Sequence, residues 1–134
     1  MTFEDHLLDY LRQFLTGQHG QDYEFCETNG DCLEILCIKK DPSAEKCMII
    51  RIFINHERRQ LFITNIFLPQ ALRRHRTGKK LIAIVHYFGT QFNYDTFVAD
   101  LTDTFRERLF RRKAVQTGIF DMLQITQETN LLED

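Results

Sequence analysis

The stretch Pro69–Val85, PQALRRHRTGKKLIAIV, decides how this chain is read. Five Lys and Arg fall within Arg73–Lys80, around the single glycine Gly78, and an apolar helical pattern follows at once. Upstream, Leu61–Leu68 (LFITNIFL) is rich in β-formers and reads as a strand. Pro69 ends it, because proline cannot continue a central ladder. The passage is therefore a strand, a basic glycine-containing turn and a helix opening at Thr77 or Gly78. A helix N-terminus exposes unpaired N–H groups and carries about half a positive charge. Arg adds forked donors and Lys adds point charges, so the stretch points to a phosphate-bearing ligand.

The charge along the chain supports a local anion site rather than a basic surface. Net charge is −2 over 134 residues. Met1–Glu57 holds eleven acids and five bases, and Asp95–Asp134 holds eight acids and five bases. Between them, Arg58–Tyr94 holds seven Lys or Arg and no carboxylate.

Other signals narrow the class. The length and the 43% apolar content fit one globular domain over residues 1–134. No run of apolar residues is long enough for a membrane span. The N-terminus, MTFEDHLLDYLRQF, is acidic and amphipathic and lacks the features of a signal peptide, so a cytoplasmic protein is expected. Cys26, Cys32, Cys37 and Cys47 form no CxxC pair, and the five His form no HExxH. Buried, reduced thiols and no metal are expected.

Outward from the central stretch, Phe3, Leu7, Leu8, Leu11, Phe14 and Leu15 share one helical face, and Gly17 and Gly20 are expected to end that helix. Tyr23–Glu27 and Asp31–Ile38 read as strands about an Asn-Gly turn in ETNGDC. Cys47–Ile54 (CMIIRIFI) is nearly all apolar, as in a strand covered on both faces. After Gly78, Leu81, Val85, Phe88 and Phe92 recur at helical spacing with Ile84 beside them. Asn93–Asp95 turns the chain, Thr96–Leu101 is a short strand, Asp103 caps a further helix, and Ile119–Thr126 is a last strand. The expected fold class is α/β (α+β), with a mixed, mostly antiparallel central sheet flanked by helices. Leu61–Leu101 would supply one parallel crossover pair.

Neither GxGxxG nor GxxxxGK followed by Ser or Thr is present. RRHRTG instead resembles motif A of the GNAT superfamily, the acyl-CoA N-acyltransferases. That motif has Gln or Arg, two residues, Gly, one residue, then Gly or Ala, between a strand and a helix. Arg73 stands at its first position, Gly78 at its last, and Arg76 where the middle glycine is usual. FLP before the loop and KKLIAIV after it are also similar to the family. FVADLTDTFRERLFRRKAV is similar to the family's next strand and helix, with Asp103 where an Asn is frequent and Phe110 where a Tyr is frequent. The likeness in element order covers roughly Ile50–Thr126.

The resemblance implies an acyl-CoA N-acyltransferase-like fold and acetyl transfer from acetyl-CoA, or another acyl-CoA, to an unidentified amine. It places the pantetheine along the strand end near Ile66 and Leu68. It places the pyrophosphate on the loop and helix start: Arg73, Arg74, His75, Arg76, Thr77, Gly78 and Lys79, with Asp103 nearby. The backbone cradle survives the Gly-to-Arg departure if Arg76 keeps an ordinary φ. Phe110 has no proton to give a departing thiolate. Glu57 falls at the far end of the strand, and Thr64, Asn65, Asp103 and Thr104 are the remaining polar groups for a cleft. The resemblance also admits a homodimer through the C-terminal strands. One alternative is a catalytically silent GNAT-like module that binds CoA or a protein partner. A nucleic-acid-binding domain ranks last, because the aromatics follow core periodicity rather than a stacking surface.

Overall fold

The structure is a computed structural model, and it describes residues 2–69, 72, 76–99, 114–116 and 122–129. Its elements in chain order are α1 (Phe3–His19), β1 (Tyr23–Asn29), β2 (Leu33–Lys39), β3 (Lys46–Asn55), β4 (Gln60–Ile66), α2 (Thr77–Gln91), β5 (Asp95–Val98), β6 (Val115–Gln116) and β7 (Leu123–Ile125). The strands form one sheet in the order β1-β2-β3-β4-β5-β7-β6. All neighbours are antiparallel except β4 and β5, which run parallel with α2 as their crossover. The mixed, mostly antiparallel sheet and its parallel pair match the expected fold class.

The register explains why these strands belong together. Leu33 lies opposite Ile52, Ile52 opposite Ile63, Ile63 opposite Val98, and Val98 opposite Leu123. Each of these is almost fully buried, so one apolar row crosses five strands on one face. Burying each such side chain is worth about 1.5–3 kcal/mol. α1 covers β1 and β2, α2 covers β4 and β5, and the two helices touch. Leu7, Leu8, Leu11 and Leu15 of α1 meet Leu81, Ile82 and Val85 of α2 within this one core.

Local sequence sets the ends of each helix. Thr2 and Asp5 form a reciprocal capping box at the start of α1, with Asp5 N–H donating to Thr2 Oγ1 at 3.1 Å. Gly17 does not end this helix. It lies inside the last turn, and the C-cap is Gly20, whose N–H reaches Thr16 O. An exposed helical glycine costs only about 1 kcal/mol and does not by itself stop a helix. α2 ends in a Schellman arrangement: Asn93 takes φ 62°, and Tyr94 N–H reaches back to Gly89 O at 2.8 Å. Phe92 lies past the helix and is largely exposed, so Ile82 and Gly89 complete the buried stripe that periodicity assigned to Phe92.

Two strand expectations are corrected. Asn29 does not lie in the β1–β2 turn: it ends β1 and pairs with Leu33, residues 30–32 link the strands, and Gly30 takes no positive φ. The apolar run in β3 does not reflect cover on both faces, since Phe53 is 41% exposed. A register shift between Ile35 and Leu36 leaves Ile49 as an extra residue on β3, so Ile49 and Ile50 are buried in succession. β6 is an additional strand, and β7 covers Leu123–Ile125 of the expected Ile119–Thr126, whose residues 119–121 lie outside the described residues. The helix expected after Asp103 lies outside the described residues.

Candidate anion-binding site

Among the described residues β4 pairs with β5 from Gln60 to Ile63, and Ala99 N–H donates to Ile63 O at 2.8 Å. β4 then runs on through Thr64, Asn65 and Ile66 alongside β3. A second register shift, between Arg51 and Ile52, makes Thr64 the extra residue of a bulge at this point. Bulges bend a strand, so β4 changes direction where its sequence approaches the basic turn. Past Ile66, Phe67 N–H still bonds Ile49 O, Leu68 turns inward and Phe67 is 56% exposed.

The start of α2 faces this strand end. A Cβ on Gly78 would lie 3.4 Å from Leu68 Cδ1 and 3.8 Å from Ile66 Cγ2. Ile66, Leu68 and Gly78, separated in sequence by the basic loop, are therefore brought together. Thr77, the first residue of α2, is fully buried. Its Oγ1 lies 3.1 Å from Nε2 of His19, the last residue of α1. The sequence reading gave His19 no role. Nothing local signals it, because the contact spans 58 positions.

The electrostatics of the two helix starts differ. α1 has a side-chain cap and places Glu4 and Asp5 in its first turn. α2 has no side-chain cap hydrogen bond and no acid in its first turn, where Lys79 and Lys80 stand instead. Its first helical bond is Lys80 N–H to Arg76 O. The N–H groups of Thr77 and Gly78 precede this bond, as at any helix start. Positive dipole end and lysines reinforce each other here, an arrangement unfavourable to the helix alone and favourable to an anion.

Arg76 does not keep an ordinary φ. It is left-handed, with φ 56° and ψ 32°, and forms the N-cap of α2. Arg76 thus holds the conformation that glycine adopts most cheaply. An L-residue pays about 1–2 kcal/mol for it. The condition set for the backbone cradle, an ordinary φ at Arg76, is not met.

Glu57 lies in the exposed β3–β4 turn. The seven residues of β4 separate it from Ile66 by about 20 Å. Arg73, Arg74, His75, Asp103, Thr104 and Phe110 lie outside the described residues. Among the described residues, no group of three His, Cys, Asp or Glu side chains could hold a metal ion. Among them, too, no helix is long and apolar enough to cross a membrane. No protein-family model matches the chain, and no curated protein matches it.

Proposed function

We propose that the protein is a GNAT-like, acyl-CoA-dependent N-acetyltransferase acting on an amine, in the cytoplasm. The observation that carries this reading is the bulged end of β4, with Ile66 and Leu68 against Gly78, beside a start of α2 that has no side-chain cap and no acid in its first turn. An extended pantetheine arm suits such a strand end. A pyrophosphate suits backbone N–H groups at a helix start with Arg and Lys around them.

In the reaction, a neutral amine attacks the thioester carbonyl, the C–S bond breaks and an amide C–N bond forms. The amine proton passes to water or a base, and the thiolate takes up a proton. Arg58–Tyr94 contains no carboxylate, and Phe110 cannot protonate the thiolate. Solvent water serves both proton transfers in this account.

The same two observations favour one second reading, a module that binds CoA without turning it over. Acetyl transfer to a broad panel of primary amines separates the two. Turnover that disappears in an Arg73→Ala, Gly78→Glu variant supports the enzyme. Acetyl-CoA binding without transfer to any amine leaves the silent module.

A further inference from the structure

The four cysteines are free thiols, and two of them meet. Cys37 of β2 lies directly opposite Cys47 of β3. Lys39 N–H donates to Glu45 O at 3.0 Å two positions along the same ladder. Alternation along an antiparallel ladder therefore makes Cys37–Cys47 a hydrogen-bonded pair, with Cα atoms about 5.5 Å apart. That separation falls within the range a disulfide spans. Both side chains point to the helix-covered face, where Cys37 is 1% exposed and Cys47 is half-buried. The register shift at Ile49 lies two residues from Cys47, where a bulged strand can yield.

We propose that Cys37 and Cys47 form a reversible cross-strand disulfide when the protein meets a hydroperoxide. Cys47, the more accessible thiol, attacks the peroxide. Its sulfur takes one oxygen to become a sulfenic acid, the O–O bond breaks, and water or an alcohol leaves. Cys37 sulfur then attacks Cys47 sulfur, the S–S bond forms, and the sulfenic oxygen departs as water with the Cys37 proton. One peroxide is reduced and two thiols are oxidised.

Burial, with the neighbouring Cys47 next in effect, pushes the Cys37 thiol up to about 11. Cys37 therefore suits the second step rather than the first, and closure speeds up as pH rises. Cβ atoms directly opposite each other in such a pair lie at about 5 Å, against the ~3.8 Å a disulfide prefers. The bond forms only with local adjustment, and a strained disulfide is readily reduced.

The test uses the full-length reduced protein exposed to hydrogen peroxide, with remaining thiols blocked by N-ethylmaleimide after denaturation. The expected product carries two blocked thiols instead of four. Digestion with trypsin and a glutamate-specific protease should yield ILCIK (35–39) joined to CMIIR (47–51), separating on reduction. A Cys37→Ser variant should retain Cys47 as a sulfenic acid that dimedone captures. Four blocked thiols, a link involving Cys26 or Cys32, or Cys47 oxidised to the sulfinic acid without a link would each overturn the proposal.

Discussion

His19 Nε2 and Thr77 Oγ1 lie 3.1 Å apart, joining the last residue of α1 to the first residue of α2. The bond ties the fully buried start of the candidate site to the helix that covers β1 and β2. Thr77→Val keeps the shape and removes the hydroxyl. It should cost about 1 kcal/mol, the net worth of one such bond. A urea denaturation midpoint that falls with an unchanged slope checks this. No change in the midpoint would deny the bond a role in stability.

The left-handed Arg76 gives a paired comparison. Arg76→Gly and Arg76→Ala remove the same guanidinium, but only glycine relieves the positive φ. The glycine variant should be more stable than the alanine variant by about 1 kcal/mol, the opposite of the ordering in a helix interior. Thermal unfolding of the two variants side by side reads the sign directly.

Gly89 packs α2 tightly against the parallel pair. A Cβ there would sit 3.1 Å from Leu61 Cδ1, 3.1 Å from Thr96 Oγ1 and 3.2 Å from Tyr94 O. Gly89→Ala should destabilise the protein by about 1–3 kcal/mol despite alanine's better helix propensity, because Tyr94 O is backbone in the helix cap and cannot swing aside. Gly78→Ala meets only ordinary contacts and should be tolerated. Equal melting temperatures for the two alanine variants would contradict this placement of α2.

Glu4 links folding to acid. Burial pushes its carboxyl up, but hydrogen bonds from its own backbone, Thr2 and His56, and the charge of His56, outweigh that. The net position lies below the ordinary 4.5. A lowered folded value means that the unfolded chain binds the proton more readily. The contribution is therefore present above pH about 4.5 and is lost as pH falls through the folded value. His56 extends the chain of contacts, with Nε2 on Glu4 Oε1 and Nδ1 2.6 Å from Tyr94 Oη. Glu4→Gln should flatten the acid limb of the stability profile between pH 5 and 3, with its neutral part below wild type and the two profiles meeting at the acid end.

Much of this architecture was legible in the residues. LFITNIFL and TFVADL predicted two strands around a helix, and their parallel pairing followed from needing a crossover. Leu7, Leu8, Leu11 and Leu15 marked the inner face of α1 by spacing alone. The errors share a cause. Gly17, Asn29–Gly30 and the run in β3 were read by local rule, while tertiary packing and two register shifts determined the outcome. For the site, Gly78 and the bulky pair Ile66 and Leu68 were visible as neighbours of a basic turn. His19 and the positive φ of Arg76 were not, because one depends on a distant helix and the other on the direction in which the chain must re-enter the core.

The central claim is that the Arg73–Lys80 turn and the start of α2 hold an acyl-CoA. Calorimetric titration of acetyl-CoA, CoA and free pyrophosphate tests it, beside an Arg73→Ala, Gly78→Glu variant whose folding is checked by circular dichroism. The account predicts micromolar binding of both CoA species by the wild-type protein, and its loss in the folded variant. Absence of binding at millimolar acetyl-CoA, or equal binding by the variant, would contradict it.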